Sequence, residues 1–314
     1  MNTIALMASD VIYREACLKD KAGILDIGEM YNGMDYMRKR IDKLLTDDDI
    51  LCCVAECDGK IVGFISMHFK EKCAVKCSLR VHADHRGQGI ATSLSTHLIR
   101  EAKKLRKDAM AKVLIVSMDT SFYRNQIEEE LGSCAKYVCL QKTKIVSLRT
   151  NAALIKKFIH SSNELDDVVQ HATEAEFVSF VELHNTLFRD DFVVCWAPYD
   201  SSSVRRLFED FQSVIVGSSI GIFRMFPVTA GLRVDLDVFG LISAGDLSGV
   251  MLALCRCIAA CPELTDAVEV VICVPLGFNL NNYDMFNEEL RWTPGAYSEC
   301  KERWLIQQNV ASDA

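Results

Sequence analysis

The sequence predicts an α/β fold, an α+β mixed sheet, arranged as two tandem domains of one design. Three observations carry that expectation. Asp58-Gly59 is a tight hairpin signal between two apolar runs, so the strands flanking it are antiparallel. From Ile90 the apolar positions Leu94, Leu98, Ile99, Ala102 and Leu105 switch to helical spacing. The second half of the chain then repeats the element order of the first, in diverged form.

Taken in order, residues 11–17 read as a first strand. Lys19-Asp20 opens a helical stretch that Asn32-Gly33 breaks, and a second helix runs over 34–45 to the polar turn Asp47-Asp48-Asp49. Residues 50–56, 60–69 and 73–81 form an antiparallel meander. The helix from Ile90, a buried strand over 113–116, a short helix over 122–131 and two strands over 137–140 and 144–148 complete the unit. The expected first domain is therefore residues 1–150. Residues 151–167 form a connector with an exposed helix, and residues 168–314 a second domain. Its strands are expected over 213–226, 231–241 and 268–274, with helices over 249–260 and 282–290.

Composition narrows the function. A net charge of -8 argues against a nucleic-acid binder, which carries a basic face. The basic cluster Lys103, Lys104, Arg106 and Lys107 ends a predicted helix, where cations suit the dipole. Fourteen cysteines lie mostly within apolar strands and helices, without a C-x-x-C pair, which fits buried free thiols and no metal. No signal peptide and no membrane span are legible, so a soluble, cytoplasmic protein is expected. The oligomeric state is left open, and a monomer is compatible with it.

The strand ending at Leu79-Arg80-Val81 feeds His82-Ala83-Asp84-His85, then Arg86-Gly87-Gln88-Gly89-Ile90-Ala91-Thr92 and an amphipathic helix. Small residues admit an anion close to the backbone, successive N–H groups point at it, and the helix start adds partial positive charge. A Rossmann site would need a third glycine, but Thr92 stands there, and the strands before it form a meander. A P-loop lysine is also missing. His82 and His85 read as loop polar residues.

Leu79-Arg80-Val81 followed by Arg86-x-x-Gly89-x-Ala91 resembles motif A of the GNAT acetyltransferases, and the element order over residues 11–149 resembles that fold. The resemblance implies tandem GNAT-like domains with acetyl-CoA as co-substrate. N–H groups from Gln88 to Thr92 would hold the pyrophosphate. The pantetheine arm would lie along Leu79, Arg80 and Val81, where the next strand splays away. The N–H of Val81 would be the oxyanion donor. The second domain is degenerate: its counterpart segment, residues 241–249, lacks the arginine and the paired glycines, and Asp246 would repel a phosphate.

The segment Tyr31-Asn32-Gly33-Met34-Asp35-Tyr36 resembles the histidine N-acetyltransferase family. Ala135-Lys136-Tyr137, with Lys142 or Lys144 leading into the last strand, does so too. By that resemblance the acceptor is a free amino acid, L-histidine, bound at Tyr31, Asp35 and Tyr36. Read alone, the segment is a helix-breaking Asn-Gly with two packing tyrosines. The alternatives are an acetyltransferase acting on protein N-termini or lysines, and a non-catalytic acetyl-CoA binder.

Two departures from the GNAT pattern concern protons. The strand before motif A reads Ala74-Val75-Lys76-Cys77-Ser78, without the glutamate base that many of these enzymes carry. The position four residues before Gly132, where many carry a tyrosine acid, is Glu128, and the nearest phenol is Tyr123. Cys77 is read as a packing thiol. Trp196, Pro198 and Tyr199 read as core or as a lid.

Overall fold

The computed structural model describes residues 11–30, 33–70, 73–118, 123–124, 127, 137–161, 171–188, 191–240, 242–278 and 287–308. By packing, the chain divides into two compact units. One comprises residues 1–30, 36–115 and 308–314, the other residues 31–35 and 116–307.

The first unit starts with β1 (Val11–Glu15), α1 (Lys21–Asp26) and α2 (Met37–Thr46). The strands β2 (Ile50–Cys57), β3 (Lys60–Phe69) and β4 (Ala74–Val81) form the expected meander. Asp58 and Gly59 both have positive φ, 50° and 74°, as a two-residue hairpin turn requires. The helix α3 (Ile90–Leu105) and the strand β5 (Val113–Ser117) follow, with strand order β1-β2-β3-β4-β5. β5 runs parallel to β4, and the other neighbours are antiparallel.

Helical and strand periods explain both faces of this sheet. Ile90, Leu94, Leu98 and Ala102 recur every fourth residue and bury one stripe of α3 against Ile65, Met67 and Ala74. Met37, Ile41 and Leu44 of α2 pack with Ile24 of α1 onto the opposite face, over Cys52, Val54 and Phe64. α2 starts at Met37, three residues later than its apolar pattern suggests.

The second unit begins with β6 (Tyr137–Asn151), one strand where two were expected. It pairs antiparallel, from Thr143 to Asn151, with the whole of β12 (Ala267–Pro275), and the strand runs on unbroken through the polar residues 141–143. The whole of β6 lies in the second unit, whereas the expected domain boundary was residue 150. The helix α4 (Ala152–Ser161) is not the exposed connector expected. Ile155 is fully buried beside Val250 and Leu254.

Next come α5 (Glu174–Leu183), the hairpin β7 (Phe192–Val194) and β8 (Ala197–Tyr199), α6 (Val204–Asp210), β9 (Gln212–Val216), β10 (Ser219–Val228) and β11 (Gly231–Gly240). Residues 213–226 are thus two strands, turning at Gly217 with φ 55°. The helix α7 (Ala244–Ala260) begins five residues before the expected start, because Ser243 and Asp246 form a capping box there. After β12 lie α8 (Asn287–Leu290), β13 (Thr293–Pro294) and β14 (Glu302–Gln308). The strand order is β14-β6-β12-β11-β10-β9, with β13 on β6. Two helices, three antiparallel strands, a helix and a parallel strand repeat the plan of the first unit. β11 and β12 take the places of β4 and β5.

Trp196 stacks on Tyr297, and Pro198 and Tyr199 are buried, so this segment is core. Every described cysteine is a free thiol. Among the described residues, no helix is long and apolar enough to cross a membrane, and no His/Cys/Asp/Glu group has metal-site geometry.

An ion-pair cluster ties β1 to the first helical turn. Asp20 accepts from Arg14 at 2.7 and 2.8 Å and from the Cys17 N–H at 2.8 Å. The Arg14 hydrogen bond outweighs burial and lowers the carboxyl to about 2. A lowered carboxyl stabilises the fold above its unfolded value of 3.8, and that contribution is lost as pH falls toward about 2. Asp20→Asn is therefore expected to lower stability by about 1–2 kcal/mol at neutral pH, allowing for the partly exposed Arg14. The difference should vanish near pH 2, as urea denaturation at several pH values would measure.

Candidate functional site

The site begins where two strands part. β5 pairs with β4 only through Ala74, Val75 and Lys76, opposite Val113, Leu114 and Ile115. Beyond Lys76, β4 carries a β-bulge: between Phe64↔Arg80 and Ser66↔Cys77 it holds one residue more than β3. Ser78, inside the bulge, has φ 59°. Leu79 is 42% exposed on the freed stretch, while Arg80 is buried.

The N–H of His82 bonds Val62 O at 2.9 Å, and Val81 stands opposite Gly63. Hydrogen-bonding direction alternates along an antiparallel strand, so the N–H and C=O of Val81 point away from β3, toward the parted side. The Val81 carbonyl there accepts Arg86 Nε at 3.1 Å, which folds the loop back on the strand end.

Residues 83–85 make one 3₁₀ turn, and His82 Nδ1 accepts the Asp84 N–H at 3.3 Å. Gln88 Nε2 donates to Asp84 O at 3.2 Å. Gly87 and Gly89 have φ 74° and 78°, and a Cβ on either would meet nothing within 4 Å. The two glycines thus supply left-handed backbone and leave open space above it. Gly89 is the N-cap of α3 and provides no side-chain cap; the first helical bond runs from Ser93 N to Gly89 O. The N–H groups from Ile90 to Thr92 therefore have no intrahelical acceptor and face the partial positive end of a 16-residue helix. Ile90 is buried and anchors the turn, and Thr92 is exposed. Such a cradle accepts an anion.

Of the expected acceptor residues, Tyr36 reaches the bulge: its hydroxyl lies 3.2 Å from Ser78 Oγ. Arg40 lies over the Tyr36 ring at 5.7 Å. Asp35 is buried in the short segment that packs with the second unit, where Gly33 O accepts the Ala230 N–H and Met34 O accepts from Arg233. Tyr31 and Glu128 lie outside the described residues, as do Ala135 and Lys136. Tyr123 packs edge-on against Tyr137 at 5.2 Å. Lys142 sits over the Trp304 ring at 4.0 Å, and Lys144 donates to Phe278 O.

The strand registers also assemble a polar row that the linear pattern did not single out. Cys52 pairs with Ser66, and Ser66 with Cys77, all on the face toward α2. Ser66 Oγ is 3.2 Å from Cys77 Sγ and 3.5 Å from His68 Nε2. The period-2 alternation of three hairpin-linked strands was the signal that could have revealed it. Lys76, adjacent in sequence, is buried and donates to Ser95 Oγ and Gln308 Oε1 at 3.0 and 2.9 Å.

In the second unit the corresponding helix start is closed by its own side chains. Ser243 Oγ accepts the Asp246 N–H at 3.0 Å, and Asp246 accepts the Ser243 N–H at 3.2 Å. A carboxylate thus occupies the place that the first unit leaves open.

Residues 24–124 match the family model described as Acetyltransferase (GNAT) family. No curated protein matches the sequence. Among solved structures, a Pyrococcus horikoshii protein described as a candidate acetyltransferase is similar over 99% of this chain and 93% of its own. The identity is 12% and the TM-score 0.52, a likeness of fold. A tandem GNAT protein of the clavulanic acid biosynthesis pathway is 13% identical over 97% of this chain and all of its own, with TM-score 0.48. An Escherichia coli GNAT N-acetyltransferase solved in complex with CoA is 20% identical over 38% of this chain and 68% of its own, with TM-score 0.32.

Because the bulge holds Ser78 in the left-handed region, the residue type there has a measurable effect. Ser78→Val is expected to destabilise the protein by about 1–3 kcal/mol, since a β-branched side chain opposes that φ. Ser78→Gly should be neutral or stabilising in the same urea titration. The reverse order would mean that residue 78 is not left-handed.

Proposed function

With residues 24–124 an acetyltransferase domain of the GNAT family and the chain an acetyl-CoA-dependent acyltransferase, we propose that it acetylates the α-amine of a free amino acid, with L-histidine as the acceptor. The observation that carries the acceptor side is the Tyr36 hydroxyl at Ser78. Ser78 lies on the stretch of β4 that β5 no longer pairs with.

Each part of acetyl-CoA has a counterpart in the first unit. The N–H groups from Gln88 to Thr92 bind the pyrophosphate in the open space above Gly87 and Gly89. Arg86 is exposed beside them. The pantetheine amides bond the freed edge of β4 at Leu79 and Val81, and Arg80 anchors that stretch in the interior. The Val81 N–H, directed into the gap, donates to the thioester oxygen as it gains charge. Tyr36 positions the acceptor from the α2 side.

Transfer is direct. The neutral amine attacks the thioester carbon, the C–N bond forms, and the C–S bond breaks as coenzyme A leaves. A lysine amine of pKa about 10.4 is roughly 0.1 per cent neutral at pH 7, against roughly 10 per cent for an α-amine near 8. An α-amine acceptor therefore asks less of a general base than a lysine does.

An acceptor screen with acetyl-CoA and the free amino acids tests this reading, and turnover with L-histidine at micromolar to millimolar KM is expected. Turnover with peptides alone would move the activity to protein acetylation. Saturable coenzyme A binding with no acceptor turned over would leave a cofactor-binding protein. Gly89→Glu is expected to abolish coenzyme A binding in calorimetry, by placing a carboxylate on the cradle. Unchanged affinity would overturn the placement of the loop.

A further inference from the structure

The α2-facing row of β2, β3 and β4 contains one group that packing does not account for. Cys77 is the last residue of β4 before the bulge and is half-buried, and its neighbour Ser78 holds Tyr36. Its Sγ meets Ser66 Oγ at 3.2 Å, and Ser66 in turn lies 3.5 Å from His68 Nε2. A thiol, a hydroxyl and an imidazole thus run along two strands to the place where the reacting carbonyl would lie. On the reading that this domain transfers acetyl to an amine, we infer that Cys77 accepts the acceptor's ammonium proton, with Ser66 and His68 holding and discharging it.

The surroundings of Cys77 support that role. Burial pushes the thiol up, but charge and hydrogen bonding from His68, the Ser66 hydrogen bond and the charge of Arg40 in α2 outweigh it. The thiol is lowered to about 7. The other titratable group facing it is Cys52 of β2, which donates its S–H to Leu44 O at 3.2 Å and which burial pushes well above the ordinary thiol range. Cys53, on the opposite face, is pushed up to about 12 by burial. An ordinary thiol near 8.5 is roughly 3 per cent ionised at pH 7, so a thiol near 7 carries about fifteen times more of the basic form.

The protons balance as follows. Cys77 thiolate takes one proton from the acceptor's ammonium and becomes the thiol. The freed lone pair attacks the thioester carbon, forming the C–N bond and breaking the C–S bond. The departing coenzyme A thiolate takes the second nitrogen proton. Cys77 returns its proton to solvent through Ser66 and His68. One acetamide, one coenzyme A thiol and one free proton result.

Iodoacetamide labelling of the full chain, mapped by peptide mass spectrometry from pH 5 to 10, reads Cys77 without needing the acceptor. The expected midpoint is about 7, rising by about one unit in His68→Gln, with saturating acetyl-CoA slowing the labelling. In turnover, Cys77→Ala and Cys77→Ser are expected to lose about 10²-fold in kcat, with coenzyme A affinity and melting temperature unchanged. The wild-type acidic limb should stay in place when acceptors of different amine pKa are used, and should vanish in Cys77→Ala. A labelling midpoint above 8, or full turnover by Cys77→Ala with an unchanged pH profile, overturns this inference alone. An acetyl group found on Cys77 after incubation with acetyl-CoA alone overturns it in favour of a covalent carrier. Wild-type protein that binds coenzyme A but acetylates no amine sinks the transfer reading itself.

Discussion

β4 keeps two hydrogen-bonded neighbours only as far as Lys76. Beyond that, the residue inserted at Ser78 increases the strand's twist, and β5 no longer follows. Continuous pairing would consume the outward N–H and C=O groups of β4 in a ladder. The break leaves those of Val81 directed into the gap. It also exposes Leu79 and sets the angle at which the chain enters the Gly87–Gly89 turn and α3. The polar row Cys52–Ser66–Cys77 ends at the same break, and Tyr36 bonds to the residue that makes it. The outward Val81 N–H, the entry to the Gly87–Gly89 turn and the Tyr36 contact therefore rest on one inserted residue.

The parts of this arrangement set by short-range chemistry were legible in the sequence. Asp58-Gly59 specified its hairpin, Ile90 to Ala102 its helix, and Gly87 and Gly89 a loop of small residues before that helix. The bulge was not legible, because Ser78 is neither of the residue types that usually announce a positive φ. Nor was the continuity of β6, since Gln141, Lys142 and Thr143 look like a turn. They are held by long-range partners: Gln141 accepts the Val193 N–H at 3.1 Å, and Thr143 meets the Arg303 guanidinium at 3.2 Å. Ile155, Phe158 and Ile159 share a face of α4, but nothing near them in sequence covers it. Its cover, α7, lies about ninety residues further along the chain. Register across two hairpins, and not any motif, aligned Ser66 and His68 with Cys77.

The second unit shows what the same plan becomes without the cradle. A side-chain cap at a helix start contributes about 1 kcal/mol, and α7 takes it from Ser243 and Asp246. α3 forgoes it at Gly89. Around β11 the second unit holds buried charge: Asp237 accepts from Arg303 of β14 and from the Cys195 N–H, and Asp235 from Arg224 of β10 and from Arg233. Such pairs hold geometry more than they add stability. Arg233 also holds the carbonyl of Met34, so a segment just before α2 is fixed by this network.

A thiol at the end of β4 changes the acid–base problem rather than leaving it unsolved. A carboxylate near 4 is ionised throughout the neutral range but is a weak base toward an ammonium near 8. Proton transfer is most effective when donor and acceptor values lie close together and near the working pH. A thiol brought to about 7 meets both conditions. It needs a cationic or hydrogen-bonding partner to stay ionised in a half-buried place, and the β3 register supplies His68 and Ser66 for that purpose. The carboxylate missing from residues 74–78 and the polar residues on the neighbouring strand are, on this account, two sides of one substitution.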